Sequence, residues 1–467
     1  MSGTNSEIVD ETNRGLLLEA SLADSPRGHQ ATTLTAQLRD AIRNGSLRTG
    51  TRLPASRSLA ADLGVSRGVV VRAYEQLAAE GYVSSRQGRG TEVAAVPRPP
   101  ASAAAPSPRP PTNPGLPTGA LFPRTEWLKA TDRAIAGLPD SEFGYPDPAG
   151  LPRLREELAD YLGRVRSLIA DPGRIVVVNG FGQAVRLITD VLIGRGDREI
   201  GVEDPGSVGL NEQLTRAGAV CRPIPVDEEG VCVDRLARSG LRAVIVTPAH
   251  QFPTGVVMSP QRRHALLAWA RDTGGLIIED DYDAEFRYDR SPVGALQGLG
   301  PDDVIYGGSV SKTLSPALRL GWLVLPERLV TPVVEAKYDA DLGTNTLEQA
   351  TLTEFLAAGS LDRHIRRAGS RYRERRDRLV SAFRALLPDW RVTGTAAGLH
   401  VLVHPPSGAD ETEAAGLAQE CGLDARPLSR YAMATTRPGL VIGYGHQRPH
   451  TLAGAVRDLA ECYSSRC

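Results

Sequence analysis

A chain of 467 residues is longer than one compact core usually serves, so at least two domains are expected. A hydrophobic fraction of 41% and a charged fraction of 23% are those of a water-facing globular protein, and no run approaches the roughly 18 apolar residues of a membrane span. The formal net charge is -1, but residues 31–93 hold nine Arg, no Lys and five acids, a local excess of +4 that suits a polyanionic partner.

The first residues, MSGTNSEIVDETNRG, are polar and acidic, without a basic stretch leading into an apolar one. Cys221, Cys232, Cys421, Cys462 and Cys467 follow neither metal-ligand spacing nor a paired framework. A cytoplasmic chain, near the nucleoid if the basic segment meets DNA, with no metal centre and no membrane contact, is therefore expected.

Leu34–Asn44 has the spacing of an amphipathic helix, and Gly50–Pro54 reads as a turn. Ser56–Leu63 reads as a short helix capped by Ser56, Gly64-Val65-Ser66 as a tight turn, and Arg67–Glu80 as a longer helix with Val70, Tyr74 and Leu77 on one face. Tyr82–Ser84, the Gly/Arg-rich Arg86–Gly90 and Thr91–Val93 predict a hairpin. Two short helices joined by a Gly-containing turn form a helix-turn-helix pattern.

From Ala94 to Pro117 the chain carries nine prolines among scattered Ala and Ser, the composition of a semi-stiff linker. The expected division is a head over 1–93, a linker over 94–117 and a body over 118–467. In the body, short apolar runs (Ile175–Val178, Glu199–Val202, Ala243–Val246, Leu276–Ile278, Val304–Tyr306 and Trp322–Leu325) alternate with helical patterns, which predicts a mostly parallel sheet covered on both faces. The last hundred residues, with strands near His400–Val403 and Leu440–Ile442, suggest a smaller α+β unit.

Leu53–Val93, LPASRSLAADLGVSRGVVVRAYEQLAAEGYVSSRQGRGTEV, resembles the GntR family of winged helix-turn-helix repressors. The resemblance implies double-stranded DNA as partner. Ser66, Arg67 and Arg72 at the start of the second helix suit base edges in the major groove. Arg52, Ser56, Arg57, Arg86 and Arg89 suit phosphates, and Gly88 and Gly90 allow a tight wing tip.

GGSVSKTLSPALRLGW (Gly307–Trp322) resembles the cofactor-lysine segment of fold-type I aminotransferases, which implies pyridoxal 5'-phosphate held through Lys312. Ser309, Ser311 and Arg319 are then candidates for the phosphate. In LIIEDDYD (Leu276–Asp283), the resemblance assigns Asp280 to the ring nitrogen and Tyr282 to the ring hydroxyl. The Gly-rich turn after Ile175–Val178 makes Gly182 and Gln183 candidate phosphate contacts at a helix start. TPAHQFPTG (Thr247–Gly255) resembles a loop that carries an Asn beside the ring, and here His250 and Gln251 are the nearest polar candidates. Tyr145 matches a tyrosine that reaches a neighbouring subunit's phosphate.

The head, the Pro-rich linker, HQFPTG, EDDYDAEFRY, SKTLSPALRLGW and HIRRAGSRYRERRD together resemble MocR-type regulators, from about Leu34 onward. The resemblance implies an α/β chain: a winged helix-turn-helix, then a fold-type I aminotransferase-like domain with a smaller C-terminal α+β subdomain. It further implies a head-to-tail homodimer and a body that senses pyridoxal phosphate or an amino compound, in control of vitamin B6 or amino-acid metabolism. Two positions depart from it: Ser207 stands where an aromatic often stacks on the ring, and the arginine of GABA-sensing members is replaced near Gly209. Arg430 is then the candidate anchor for an effector carboxylate. Two other readings stay open, a working aminotransferase with a fused DNA-binding head and a DNA-binding protein whose body is a scaffold without cofactor.

Overall fold

The structure, a computed structural model, describes Leu22, Pro26 and residues 28–86, 90–94, 114–288, 294–434 and 436–464. Most of the expected linker (95–113), the wing-tip residues Gly88 and Arg89, and the Arg86 side chain lie outside the described residues. The chain divides into two compact units, Met1–Pro108 and Arg109–Cys467.

In the first unit, the helices Gln30–Asn44, Ser56–Asp62 and Arg67–Ala79 pack on a small antiparallel sheet of β1 (Arg52–Leu53), β2 (Val83–Arg86) and β3 (Gly90–Val93), in the order β1-β3-β2. Leu34, Leu38 and Ile42 recur every four residues, so one face of the first helix is apolar and meets Leu59, Val70, Ala73, Tyr74 and Leu77 in one core. The Tyr74 hydroxyl donates to the Pro54 carbonyl at 2.9 Å, fixing the third helix against the chain just after β1. Gly64 turns between the second and third helices at φ +65°, a conformation a side chain would strain.

Two local expectations are corrected. Arg52 and Leu53 are not a turn but a strand, because their backbone pairs with Glu92 and Thr91. Ser56 is the first helical residue and not the cap; Ala55 holds the extended N-cap conformation, and the Ser56 hydroxyl instead accepts from Arg67 Nε at 3.3 Å.

The second unit is built on an eight-stranded sheet of β4 (Ile175–Val178), β5 (Glu199–Asp204), β6 (Val220–Asp227), β7 (Gly230–Val231), β8 (Ala243–Val246), β9 (Leu276–Asp281), β10 (Val304–Ser309) and β11 (Gly321–Val324), ordered β4-β11-β10-β9-β8-β5-β6-β7. The pairs from β10 through β9, β8 and β5 to β6 are parallel; β11 runs antiparallel between β10 and β4. All four β4 residues are buried, and their alternation splits them between two cores. Ile175 and Val177 join Leu154, Leu158 and Phe355 on one face, and Val176 and Val178 join Leu187, Ile188 and Leu329 on the other. Burial on both faces explains the near-continuous apolar strands.

Strands β5, β9 and β10 run past their apolar stretches into acids and serines, because pairing with the neighbouring strand continues: Asp280 and Asp281 sit opposite Gly307 and Gly308. The smaller sheet of β12 (Arg391–Thr393), β13 (His400–His404), β14 (Asp424–Pro427) and β15 (Leu440–Gly443), ordered β12-β13-β15-β14, is wholly antiparallel. Its core packs with the long helix Ser360–Leu386 and the helix Pro449–Ser464. No helix among the described residues is long and apolar enough to cross a membrane.

Candidate functional site

The carboxyl ends of β4, β9 and β10 and the start of β11 fall at one end of the large sheet, since Asp281 pairs with Gly308, Ser309 with Gly321 and Gly321 with Val178. Open parallel sheets hold ligands at this end. Beside it lies an open cavity whose wall includes Lys312, Asp280, Tyr282, Glu203, Ser207 and His400. The sequence supplied Asp280, Tyr282 and Lys312, the lysine 32 and 30 residues after the other two, and the fold turns all three into one space.

Adjacent acids at the end of β9 point to opposite faces. Asp281 Oδ2 accepts from Arg166 Nε at 2.6 Å and from the Tyr306 hydroxyl at 2.7 Å, while Asp280 lines the cavity. Burial, then Asp281 and Asp283, pushes the Asp280 carboxyl well above the usual carboxylate range; Lys312 opposes this. Burial lowers the Lys312 amine, with Asp283 and Asp280 acting against it. Lys312 Nζ donates to the Gly115 carbonyl at 3.0 Å.

His250 is buried, with Nδ1 3.1 Å from the Tyr282 hydroxyl and 3.0 and 3.1 Å from the two Asp283 oxygens. His400 lies beyond it, the two rings 5.1 Å apart. Burial, then His250 and Lys312, moves the His400 imidazole well below its ordinary value, so it faces the cavity neutral. His250, Asp283 and His400 bring nitrogen and oxygen atoms within 4.8 Å of one another. Gln251 is turned away from the cavity: its amide nitrogen donates to Glu203, Pro205 and Phe252, and its oxygen accepts from Thr254. Phe252 reaches the cavity wall instead.

Arg319 takes a left-handed backbone conformation at φ +52°, and its guanidinium donates to the Asn179 carbonyl at 2.6 Å. That places it against the turn that opens the helix Phe181–Gly194, where a Cβ on Gly180 would lie 3.0 Å from the guanidinium. Gly182 stands in the first turn of this helix. Gln183 is a correction: its amide donates to Asp341 and accepts from Asn179, and its backbone N–H reaches Gly180, so its polar groups are taken up inside the fold. Ser309 is buried at the end of β10, its hydroxyl accepting from the Ser311 N–H at 3.4 Å.

Tyr145 is 89% exposed, far from being enclosed by its own chain. Arg430 is exposed and lines a separate cavity with Asn211, Arg216 and Tyr431, so it does not face Lys312; Asn211 borders both spaces. Ser207 lines the Lys312 cavity and caps the helix Val208–Arg216 through the Leu210 N–H. Sequence reasoning missed Gly115, Glu203, Phe252, Asp283 and His400; Asp283 and Phe252 had a signal, in the acidic cluster and in TPAHQFPTG.

In the first unit Arg52, Arg57, Ser66, Arg67 and Arg72 are exposed and Ser56 is half-buried. Arg39, outside this set, pairs with Glu80 through two 2.7 Å hydrogen bonds.

Residues 113–440 match the family of aminotransferases class I and II, and residues 30–93 match the bacterial regulatory proteins of the gntR family. The chain is 33% identical to the probable rhizopine catabolism regulatory protein MocR of Rhizobium meliloti, over 94% of each chain. It is also 33% identical to the pyridoxine biosynthesis transcriptional regulator PdxR of Corynebacterium glutamicum, over 93% of this chain and 96% of that one. An archaeal alanine:glyoxylate aminotransferase structure superposes with a TM-score of 0.69 at 27% identity, covering 76% of this chain and 90% of that one. With a gntR-family head, an aminotransferase body and full-length likeness to such regulators, the chain belongs to the MocR-type transcriptional regulators.

Proposed function

We propose that the body holds pyridoxal 5'-phosphate and that its occupancy, or its reaction with an amino compound, governs how the head engages a double-stranded DNA operator. One observation carries this: Lys312 and Asp280 face the same cavity at the carboxyl end of the sheet. When bound, the cofactor supplies an electrophilic aldehyde and an electron-withdrawing ring.

The site's residues suit that group. A carboxyl pushed upward by burial and neighbouring acids is relieved by a cation, which a protonated ring nitrogen provides to Asp280. The lowered amine of Lys312 is neutral at lower pH than a surface lysine, and the neutral form is the nucleophile. His250 and Asp283 orient the Tyr282 hydroxyl for the ring oxygen. Arg319, the Gly182 amide, Ser309 and Ser311 are assigned to the phosphate, with Tyr145 reaching the site of a second chain in a head-to-tail homodimer. In the head, Ser66, Arg67 and Arg72 are assigned to base edges and Arg52, Ser56, Arg57, Arg86, Gly88 and Arg89 to the DNA backbone. The likeness to a pyridoxine biosynthesis regulator supports genes of vitamin B6 supply as targets.

The test is the visible absorption of purified protein titrated with pyridoxal phosphate, then with amino acids and a keto acid. A cofactor band that Lys312→Ala abolishes, shifted by amines without sustained turnover, is expected. Sustained turnover would make the body a working aminotransferase. No band would overturn the cofactor assignment.

A further inference from the structure

The described part of the second unit begins in a slot beside Lys312. Pro114 and Gly115 are buried and line the cavity, and Gly115 holds φ +93°. On one side stands the end of β15: a Cβ on Gly443 would lie 2.9 Å from Pro114 Cα and 3.2 Å from Gly115 N, and one on Gly445 would overlap the Leu116 carbonyl. On the other side stand His400, whose Nδ1 is 4.0 Å from a Cβ built on Gly115, and Lys312, whose Nζ donates to the Gly115 carbonyl. The segment is then anchored where the Thr118 N–H donates to the Tyr372 hydroxyl.

We propose that Pro114–Leu116 is a strap that reads the state of Lys312: tied down through the Gly115 carbonyl while the amine is free, and released when a pyridine aldehyde carrying a phosphate condenses with it. The proposal rests on the cofactor reading above and deepens it. Condensation joins Nζ to the aldehyde carbon; two hydrogens leave the neutral amine and depart with the aldehyde oxygen as water. The nitrogen becomes trigonal and is drawn to the ring, so the donor that the Gly115 carbonyl held is withdrawn. A buried carbonyl that loses its donor is disfavoured, which drives the segment to a new position.

The closing experiment is amide hydrogen exchange of the full-length chain, read on peptides covering 114–121, with cofactor uptake followed separately by absorption. Wild type without cofactor is compared with wild type plus pyridoxal phosphate, and with Lys312→Met and Gly443→Ala. Exchange in this segment is expected to rise several-fold with cofactor, and to the same level in cofactor-free Lys312→Met, which keeps the side chain's bulk but lacks the donor. Gly443→Ala, which pushes on the strap without touching the lysine, should raise exchange while leaving the cofactor band in place. Uptake of the cofactor with unchanged exchange would overturn the strap and leave the cofactor reading intact. Failure of uptake would overturn the cofactor reading, and cofactor-free Lys312→Met exchanging like wild type would then overturn the strap as well.

Discussion

Arg166 Nε donates to Asp281 Oδ2 at 2.6 Å, with both side chains 2% exposed, and this ion pair fixes which of two adjacent aspartates faces the cavity. Arg166 ends the helix Pro152–Arg166, so the pair also locks that helix to the end of β9. Asp280, one residue earlier, is left on the opposite face beside Lys312.

Neighbouring substitutions should therefore have opposite effects. Asp281→Asn breaks this buried ion pair and should cost about 3–5 kcal/mol in urea unfolding. Asp280→Asn removes a carboxyl that burial already disfavours in its charged form, so stability should hold or rise. Its cofactor affinity should fall roughly ten- to hundredfold, the loss of one charge-assisted hydrogen bond. Equal destabilisation by both would contradict the geometry.

Cofactor uptake should track the neutral fraction of Lys312. Because burial lowers this amine, the rate of band growth should rise with pH and level off before the ordinary lysine value of 10.5. A rate still climbing tenfold per pH unit up to that value would show an amine that burial does not perturb.

Glu203 is buried, and burial raises its carboxyl to about 7 against the opposing hydrogen bonds of Thr247 and Gln251. Between its ordinary value of 4.5 and about 7 the folded chain keeps a proton that the unfolded chain has lost. Its contribution to stability is thus complete below the unfolded value and is lost as pH rises through the folded one, at up to ~1.4 kcal/mol per pH unit. Glu203→Gln cannot titrate, so relative to wild type it should gain stability across this window. A constant difference between the two proteins from pH 4.5 to 7 would mean the carboxyl is ionised in the fold.

The exposed arginines of the head should act through charge and not through folding. Arg52→Ala and Arg57→Ala should each weaken binding to a mixed-sequence duplex and reduce the slope of affinity against salt by about 1. Their melting temperatures should stay near wild type, since neither side chain is buried. An unchanged salt slope would remove that arginine from the DNA-facing surface.

The sequence alone was enough for the classes of the two units and for most strands that form their cores. Apolar runs such as Ile175–Val178 are fully buried, and a strand covered on both faces can hardly be written otherwise. Through the likeness of their segments to aminotransferases it also singled out Lys312, Asp280 and Tyr282, which the fold brings to one cavity. The strand β6 was not legible: it carries two prolines and mostly exposed positions, so pairing with β5 and not composition makes it a strand. Nor could the sequence separate the side chains of LIIEDDYD, where alternation sends Asp281 to Arg166, 115 residues away, and Asp280 to the cavity. Gln251 and Gln183 looked like free polar groups until the fold occupied them with Glu203 and Asp341. Gly115 and His400 carried no local signal at all; they reach Lys312 across 197 and 88 residues of chain, and contacts at that range are decided only when the sheets pack.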